Sequence, residues 1–194
     1  AMGFGQGQAV MTASMTFIAT CNPITYCGAE PVFVDSDEDG MIEPNLLRDA
    51  IKSELAKGKN VTGIVPVDLL GKVVDHSAIK SISEEFGLPV LSDAAESLGA
   101  KLDGRQSTFY GDHAILSFNG NKIMTTSGGG ALLTNDKAVA ERAKYLATQA
   151  RQPVVWYEHQ DIGYNYRLSN LLAAMGRAQF ARLPQMIERR RQIR

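Results

Sequence analysis

The sequence predicts an α/β fold built on a mostly parallel sheet. Two observations carry that expectation. Short β-rich runs alternate with helical patterns along nearly the whole chain. The hydrophobic and charged shares, 44% and 21% of 194 residues, are those of an ordinary globular protein with enough chain for a sizeable core. The expected strands are Ala9–Ala13, Val32–Asp35, Thr62–Val67, Pro89–Asp93, His113–Phe118 and Gly130–Thr134. Between them, Pro44–Leu55 places Leu46, Leu47, Ala50 and Ile51 at helical spacing. Ser77–Phe86 does the same with Ile79, Ile82 and Phe86, and Gly87 then stops the helix. Asp136–Ala147 reads as a helix with a charged outer face. Leu168–Leu183 is amphipathic, with Leu168, Leu171, Leu172, Met175, Gln179 and Leu183 on one side, and Pro184 starts a new turn and a more exposed helix.

Composition narrows the function. The net charge of −1 carries no basic excess that argues for nucleic acid. Arg182, Arg189, Arg190, Arg191 and Arg194 crowd the last turns and read as a solvated helix face. No apolar run approaches the roughly 18 residues of a membrane span, and the first residues hold no basic secretion signal. Cys21 and Cys27 lie in one predicted helix, six residues apart. That separation suits neither a disulfide nor a metal site, and a reducing cytoplasm fits it.

In a parallel sheet, ligands sit beyond the carboxyl ends of the strands. The polar residues there are Ser14-Met15-Thr16-Phe17, Asp68, Asp93-Ala94-Ala95-Glu96, and Ser117 leading into Lys122. Asp93 ends an apolar run and reads either as a helix cap for the next segment or as a fixed charge aimed at a ligand cation. Glu96 either completes a capping arrangement or faces the same cleft. Lys122 is either a solvated loop lysine or a chemical group. Asn119 and Asn121 flank it, and Gly128-Gly129-Gly130 comes after. A phosphate loop needs lysine directly after its second glycine and a helix next; here the spacing differs and a strand comes next. A strand-end acid, a hydroxyl, a lysine and an aromatic ring together suit pyridoxal 5′-phosphate. That cofactor needs a lysine for its aldehyde, an acid for its ring nitrogen, donors for its phosphate and a flat group over its ring.

The order of several motifs then becomes specific. Thr16-Phe17-Ile18-Ala19-Thr20, Gly28-Ala29-Glu30-Pro31-Val32-Phe33-Val34-Asp35 and Asp93-Ala94-Ala95-Glu96-Ser97-Leu98-Gly99 come first. Ser117-Phe118-Asn119-Gly120-Asn121-Lys122, with Gly128-Gly129-Gly130, and Gly163-Tyr164-Asn165-Tyr166-Arg167-Leu168 come later. Together they resemble the DegT/DnrJ/EryC1/StrS sugar aminotransferases, a fold-type I group of pyridoxal-phosphate enzymes. The lysine loop, Ser127, Gln149-Ala150-Arg151 and Tyr157-Glu158-His159 are most similar to the UDP-4-keto-6-deoxy-sugar 4-aminotransferases of bacillosamine biosynthesis.

The resemblance implies a three-layer aminotransferase-like large domain over residues 1–183, with 184–194 starting a linking helix. Ala1–Val10 matches a stretch inside that large domain. The resemblance therefore implies a partial chain, without an upstream phosphate-binding segment and a small C-terminal domain. By the same resemblance Lys122 holds the cofactor aldehyde and then moves a proton. Asp93 pairs with the ring nitrogen, Phe17 stacks on the ring, and Glu96 lies near the cofactor hydroxyl. Ser117 donates to the phosphate, and Asn165 does so from a partner subunit, which implies a homodimer with shared sites. His159 contacts substrate or is a surface residue. The implied reaction takes an amino group from glutamate and delivers it to C4 of a nucleotide-linked 4-keto-6-deoxy sugar, for bacterial surface glycans. The alternative is a non-catalytic chain that associates with a full-length relative around Asn165.

Overall fold

The computed structural model describes residues 1–193; Arg194, one of the five clustered arginines, lies outside them. The chain divides into two compact units. One is Gly3–Leu116; the other runs from Ser117 onward together with Ala1–Met2.

The first unit begins with β1 (Gln8–Ala13), α1 (Ile18–Tyr26), β2 (Glu30–Val34), α2 (Pro44–Ala56) and β3 (Asn60–Val65). It continues with α3 (His76–Phe86), β4 (Leu91–Asp93), a short hairpin of β5 (Lys101–Leu102) and β6 (Arg105–Gln106), and β7 (His113–Ser117). β1 pairs in parallel with β2 on one side and β3 on the other. Parallel bridges Ile64–Val90 and Val67–Asp93 carry the order on to β4, and β7 pairs in parallel with β4. The order is thus β2-β1-β3-β4-β7.

β1 shows why such a sheet reads as a continuous apolar run. Successive side chains point to opposite faces, and both faces are covered. Ala9, Met11 and Ala13 enter one core with Leu47 and Ile51 of α2 and Ile79 and Ile82 of α3. Val10, on the other face, packs with Ile24 of α1, Ala29 and Val65. Every one of these is at most 6% exposed, so each removes nearly all its apolar surface from water.

Side chains cap the helix starts. Glu43 accepts from Leu46 N at 2.7 Å to open α2, and Asp75 accepts from Ser77 N and Ala78 N at 3.1 and 3.0 Å to open α3. Such caps contribute about 1 kcal/mol each. α3 closes at Gly87 in the left-handed conformation, φ 65°. The fourth strand is shorter than Pro89–Asp93. Pro89 has no N–H to give a ladder, and only its carbonyl is used, by Ile64 N at 3.0 Å.

The second unit holds β8 (Gly130–Thr134), α4 (Lys137–Ala147) packed beside it, and α5 (Asn170–Ile193). Asp136 caps α4 through Ala138 N and Val139 N at 2.8 and 3.2 Å. Two expectations change here. α5 passes through Pro184 without a break, so residue 183 bounds no element; the proline removes one backbone donor and the helix runs on. The apolar side of the predicted Leu168–Leu183 helix is only partly covered. Leu183 is buried, while Leu171 is 84% and Met175 45% exposed, and Leu168 lies before the helix starts. Among the described residues no helix is long and apolar enough to cross a membrane.

Candidate active site

In the first unit the strand ends hold two buried carboxylates, and they differ. Asp68 is 1% exposed, and each of its oxygens accepts from the protein. Oδ1 accepts from Val74 N at 3.0 Å and Oδ2 from the Ser97 hydroxyl at 2.6 Å. His76 Nε2 stands 3.6 Å from Oδ1, and the His76 ring stacks on Tyr110 with centroids 5.0 Å apart. Although a strand-end acid, Asp68 serves as a structural node.

Asp93 is the other, 8% exposed. Its backbone is clamped twice: its N–H donates to Pro66 O at 2.9 Å, and its carbonyl accepts from Asp68 N at 3.0 Å. Its side chain accepts from the Thr20 hydroxyl at 2.6 Å on Oδ2 and from Ala95 N at 3.1 Å on Oδ1. No helix comes directly after it, so Asp93 clamps a turn and caps no helix. Glu96 does not complete a capping box. Its Oε2 accepts from Leu70 N at 2.9 Å, supporting a turn in which Leu70 has φ 52°.

Phe17 opens α1 just past the end of β1. Its ring is 72% exposed, and its carbonyl accepts from Thr20 N at 3.0 Å, one turn on. An exposed aromatic ring one turn from the threonine that donates to a buried carboxylate suits a flat, cationic ligand. Cys21, beside Thr20, is buried. Burial first, and the Asp93 charge second, push its thiol above the ordinary 9.0.

In the second unit the lysine lies on a loop that closes on itself. Phe118 N donates to Gly129 O at 2.9 Å, and Thr126 N donates to Phe118 O at 2.9 Å. The Thr125 hydroxyl reaches Phe118 O at 3.2 Å and accepts from Ser127 N at 2.9 Å. Within that frame Lys122 N closes a turn on Asn119 O at 3.1 Å, and Lys122 is half-buried. Ser117 Oγ accepts from Asn119 N at 3.3 Å, which leaves its hydroxyl proton for another acceptor. Gly129 has φ 100° and a Cβ there would strike Leu168 Cδ1, so the last turn of the loop requires glycine.

Asn165 and His159 fall in one hairpin-like region. Antiparallel bridges join Thr148 to Asn165 and Arg151 to His159. Tyr164 and Tyr166 stack with centroids 4.9 Å apart, so the exposed Asn165 between them projects the other way. His159 Nδ1 lies 2.8 Å from Gln149 O; a carbonyl only accepts, so Nδ1 carries the proton and Nε2 is left as acceptor or second donor. The region bares Val155, Trp156, Tyr157, Ile162 and Tyr166, each at least 64% exposed.

The structure thus gathers Asp93, Glu96 and Phe17 into one unit and Ser117, Lys122, Asn165 and His159 into the other. Sequence reasoning missed Thr20 as a partner of Asp93. The i, i+4 spacing of Thr16 and Thr20 was the available signal, since it puts both hydroxyls on one side of the helix start.

The DegT/DnrJ/EryC1/StrS aminotransferase family matches residues 1–194. The chain belongs to this family. It is 47% identical to the putative pyridoxal phosphate-dependent aminotransferase EpsN of Bacillus subtilis (strain 168), over 97% of this chain and 49% of that protein. It is 40% identical to the GDP-perosamine synthase of Caulobacter vibrioides, over 100% of this chain and 51% of that one. The crystal structure of a DegT DnrJ EryC1 StrS aminotransferase from Brucella abortus superposes with a TM-score of 0.88 at 34% identity, over 94% of this chain and 49% of that chain. The α/β aminotransferase-like fold expected from the sequence is therefore the fold observed. The chain spans about half the length of the curated relatives it matches.

Proposed function

We propose that this member of the DegT/DnrJ/EryC1/StrS family acts in a pyridoxal 5′-phosphate-dependent aminotransferase. It would move an amino group from glutamate to C4 of a nucleotide-linked 4-keto-6-deoxy sugar, a UDP-sugar, in bacterial surface glycan synthesis. The observation that carries this reading is the buried Asp93 carboxylate, anchored by two donors, one of them Thr20, which lies one helical turn from the exposed Phe17.

The residues fit the cofactor. A carboxylate has about four lone-pair sites, so Asp93, with a protein donor on each oxygen, keeps capacity for a ring N–H. Phe17 offers an uncovered aromatic face, and Ser117 keeps its hydroxyl proton for a phosphate oxygen. In this reading Asp93 keeps a proton on the ring nitrogen, and Glu96 lies near the ring hydroxyl. Lys122 Nζ holds the aldehyde carbon and afterwards moves a proton at the substrate carbon. When bound, the cofactor supplies an electron-withdrawing ring that acidifies the carbon carrying the transferred nitrogen. Asn165 reaches the phosphate of a partner subunit in a homodimer with shared sites, a role favoured by its exposure and by the bare aromatic side chains around it. His159, its Nδ1 tied to the backbone, presents Nε2 toward substrate.

The test loads the chain with pyridoxal 5′-phosphate and reduces it with borohydride. The cofactor's mass should remain on the peptide holding Lys122 and vanish in Lys122→Ala; no mass on that peptide in a folded chain would sink the reading. Glutamate should then yield 2-oxoglutarate. A GDP-linked sugar is the second reading, favoured by the 40% identity to a GDP-perosamine synthase. Amination of UDP- against GDP-linked keto sugars separates the two.

A further inference from the structure

The hydrogen bonds around Asp93 have a fixed direction. A carboxylate only accepts, so the single proton of the Thr20 hydroxyl is committed to Asp93 Oδ2 across 2.6 Å. The Thr16 hydroxyl stands 2.7 Å from that of Thr20. With Thr20's proton already used, Thr16 is the donor in that contact, its proton shared with Phe17 O at a longer 3.4 Å. The chain therefore runs one way, from Thr16 to Thr20 to Asp93, and each bond polarises the next. On the opposite oxygen, Ala95 N donates at 3.1 Å. One donor on each oxygen fixes the plane of the carboxylate as well as its position.

We infer that Thr20, with Thr16 behind it, is a positioning residue that orients Asp93 and holds it ionised for the ring nitrogen of the cofactor. The inference rests on the proposed cofactor chemistry. Thr20 is 8% exposed, and its hydroxyl has no other partner among the hydrogen bonds of this site. Were the hydroxyl there only to satisfy a buried carboxylate, its loss would change stability and leave cofactor binding untouched. Were it positioning, its loss would change how the cofactor binds and how that binding depends on pH.

The experiment measures the affinity of the chain for pyridoxal 5′-phosphate across pH by absorbance, with melting of the cofactor-free proteins alongside. Thr20→Val keeps the shape and removes the donor. It should weaken binding about tenfold, the weight of one charge-assisted hydrogen bond. Without a donor to its charged form, Asp93 takes up a proton at higher pH, so the acid-side loss of binding should move upward. Thr20→Ser restores the hydroxyl and should bind within about twofold of the parent, within the scatter of a retained bond. Should Thr20→Val fail to fold, Thr16→Val removes only the outer donor and should move affinity and pH profile in the same direction by a smaller factor. Parent-like affinity and pH profile in Thr20→Val would overturn the inference, as would equal losses in Thr20→Ser and Thr20→Val. In either case the Lys122-dependent signal of the parent would leave the cofactor reading standing. A parent chain that shows no Lys122-dependent binding takes both readings down.

Discussion

The hydroxyl of Ser97 donates to Asp68 Oδ2 at 2.6 Å, and both residues are 1% exposed. Ser97 Oγ also lies 2.9 Å from Ser107 Oγ, so one hydroxyl links the end of β3 to the turn after β4 and to the short 3-10 turn at Ser107–Phe109. Ser97→Ala leaves a buried carboxylate short of a donor. It should lower stability by about 1–3 kcal/mol, read from chemical denaturation. A change within error would show that solvent reaches Asp68.

The two cysteines should separate by reactivity. Cys27 is exposed, whereas Cys21 is buried with its thiol raised above 9.0. At pH 8 an alkylating reagent should label Cys27 first and Cys21 only as the chain opens, with mass spectrometry tracking each peptide. Because burial outranks the Asp93 charge as the cause, Asp93→Asn should change the Cys21 rate only slightly.

Acid should find Glu54. Lys57 and Lys59 bond its carboxylate at 2.6 and 2.9 Å and hold it below its ordinary 4.5. A folded-state value below the unfolded one contributes stability above the unfolded value, and that stability fades as pH falls through the folded one. The difference in melting temperature between the parent and Glu54→Gln should therefore be full at pH 7 and shrink below about pH 4.5. A difference that stays constant down to pH 3 would contradict the assignment.

Gly163 should tolerate no side chain. A Cβ there would overlap the backbone of Gln149 and Ala150, which cannot swing aside. Gly163→Ala should cost about 1–3 kcal/mol, as overpacking against fixed neighbours does. It should also expose the 148–166 region to protease sooner than in the parent.

Much of this was legible from local pattern. β1 and β3 announce themselves as apolar runs because a parallel strand is covered on both faces, and Gly87 marks the end of α3 in plain view. The lysine loop was recognisable as a loop because its turn residues are contiguous. What escaped depends on contacts between distant residues or on context. Thr20 meets Asp93 across 73 positions, and no local rule ties a helix-start threonine to a strand-end acid. Asp68 and Asp93 look alike in sequence; only the packing around each, which leaves the first 1% and the second 8% exposed, tells them apart. Pro184 misleads for the opposite reason, since the local rule is sound and α5 continues in spite of it.

The closed loop from Phe118 to Gly129 has a consequence for substitution at its tip. Its frame is drawn by its own ends and by Thr125 and Thr126, while Asn119, Gly120 and Asn121 are exposed and take no part in the bonds that shut it, apart from the Asn119 turn onto Lys122. Position 122 therefore behaves like the insert of a cassette. A substitution there leaves the casing to the same bonds, because those named above are made by other groups.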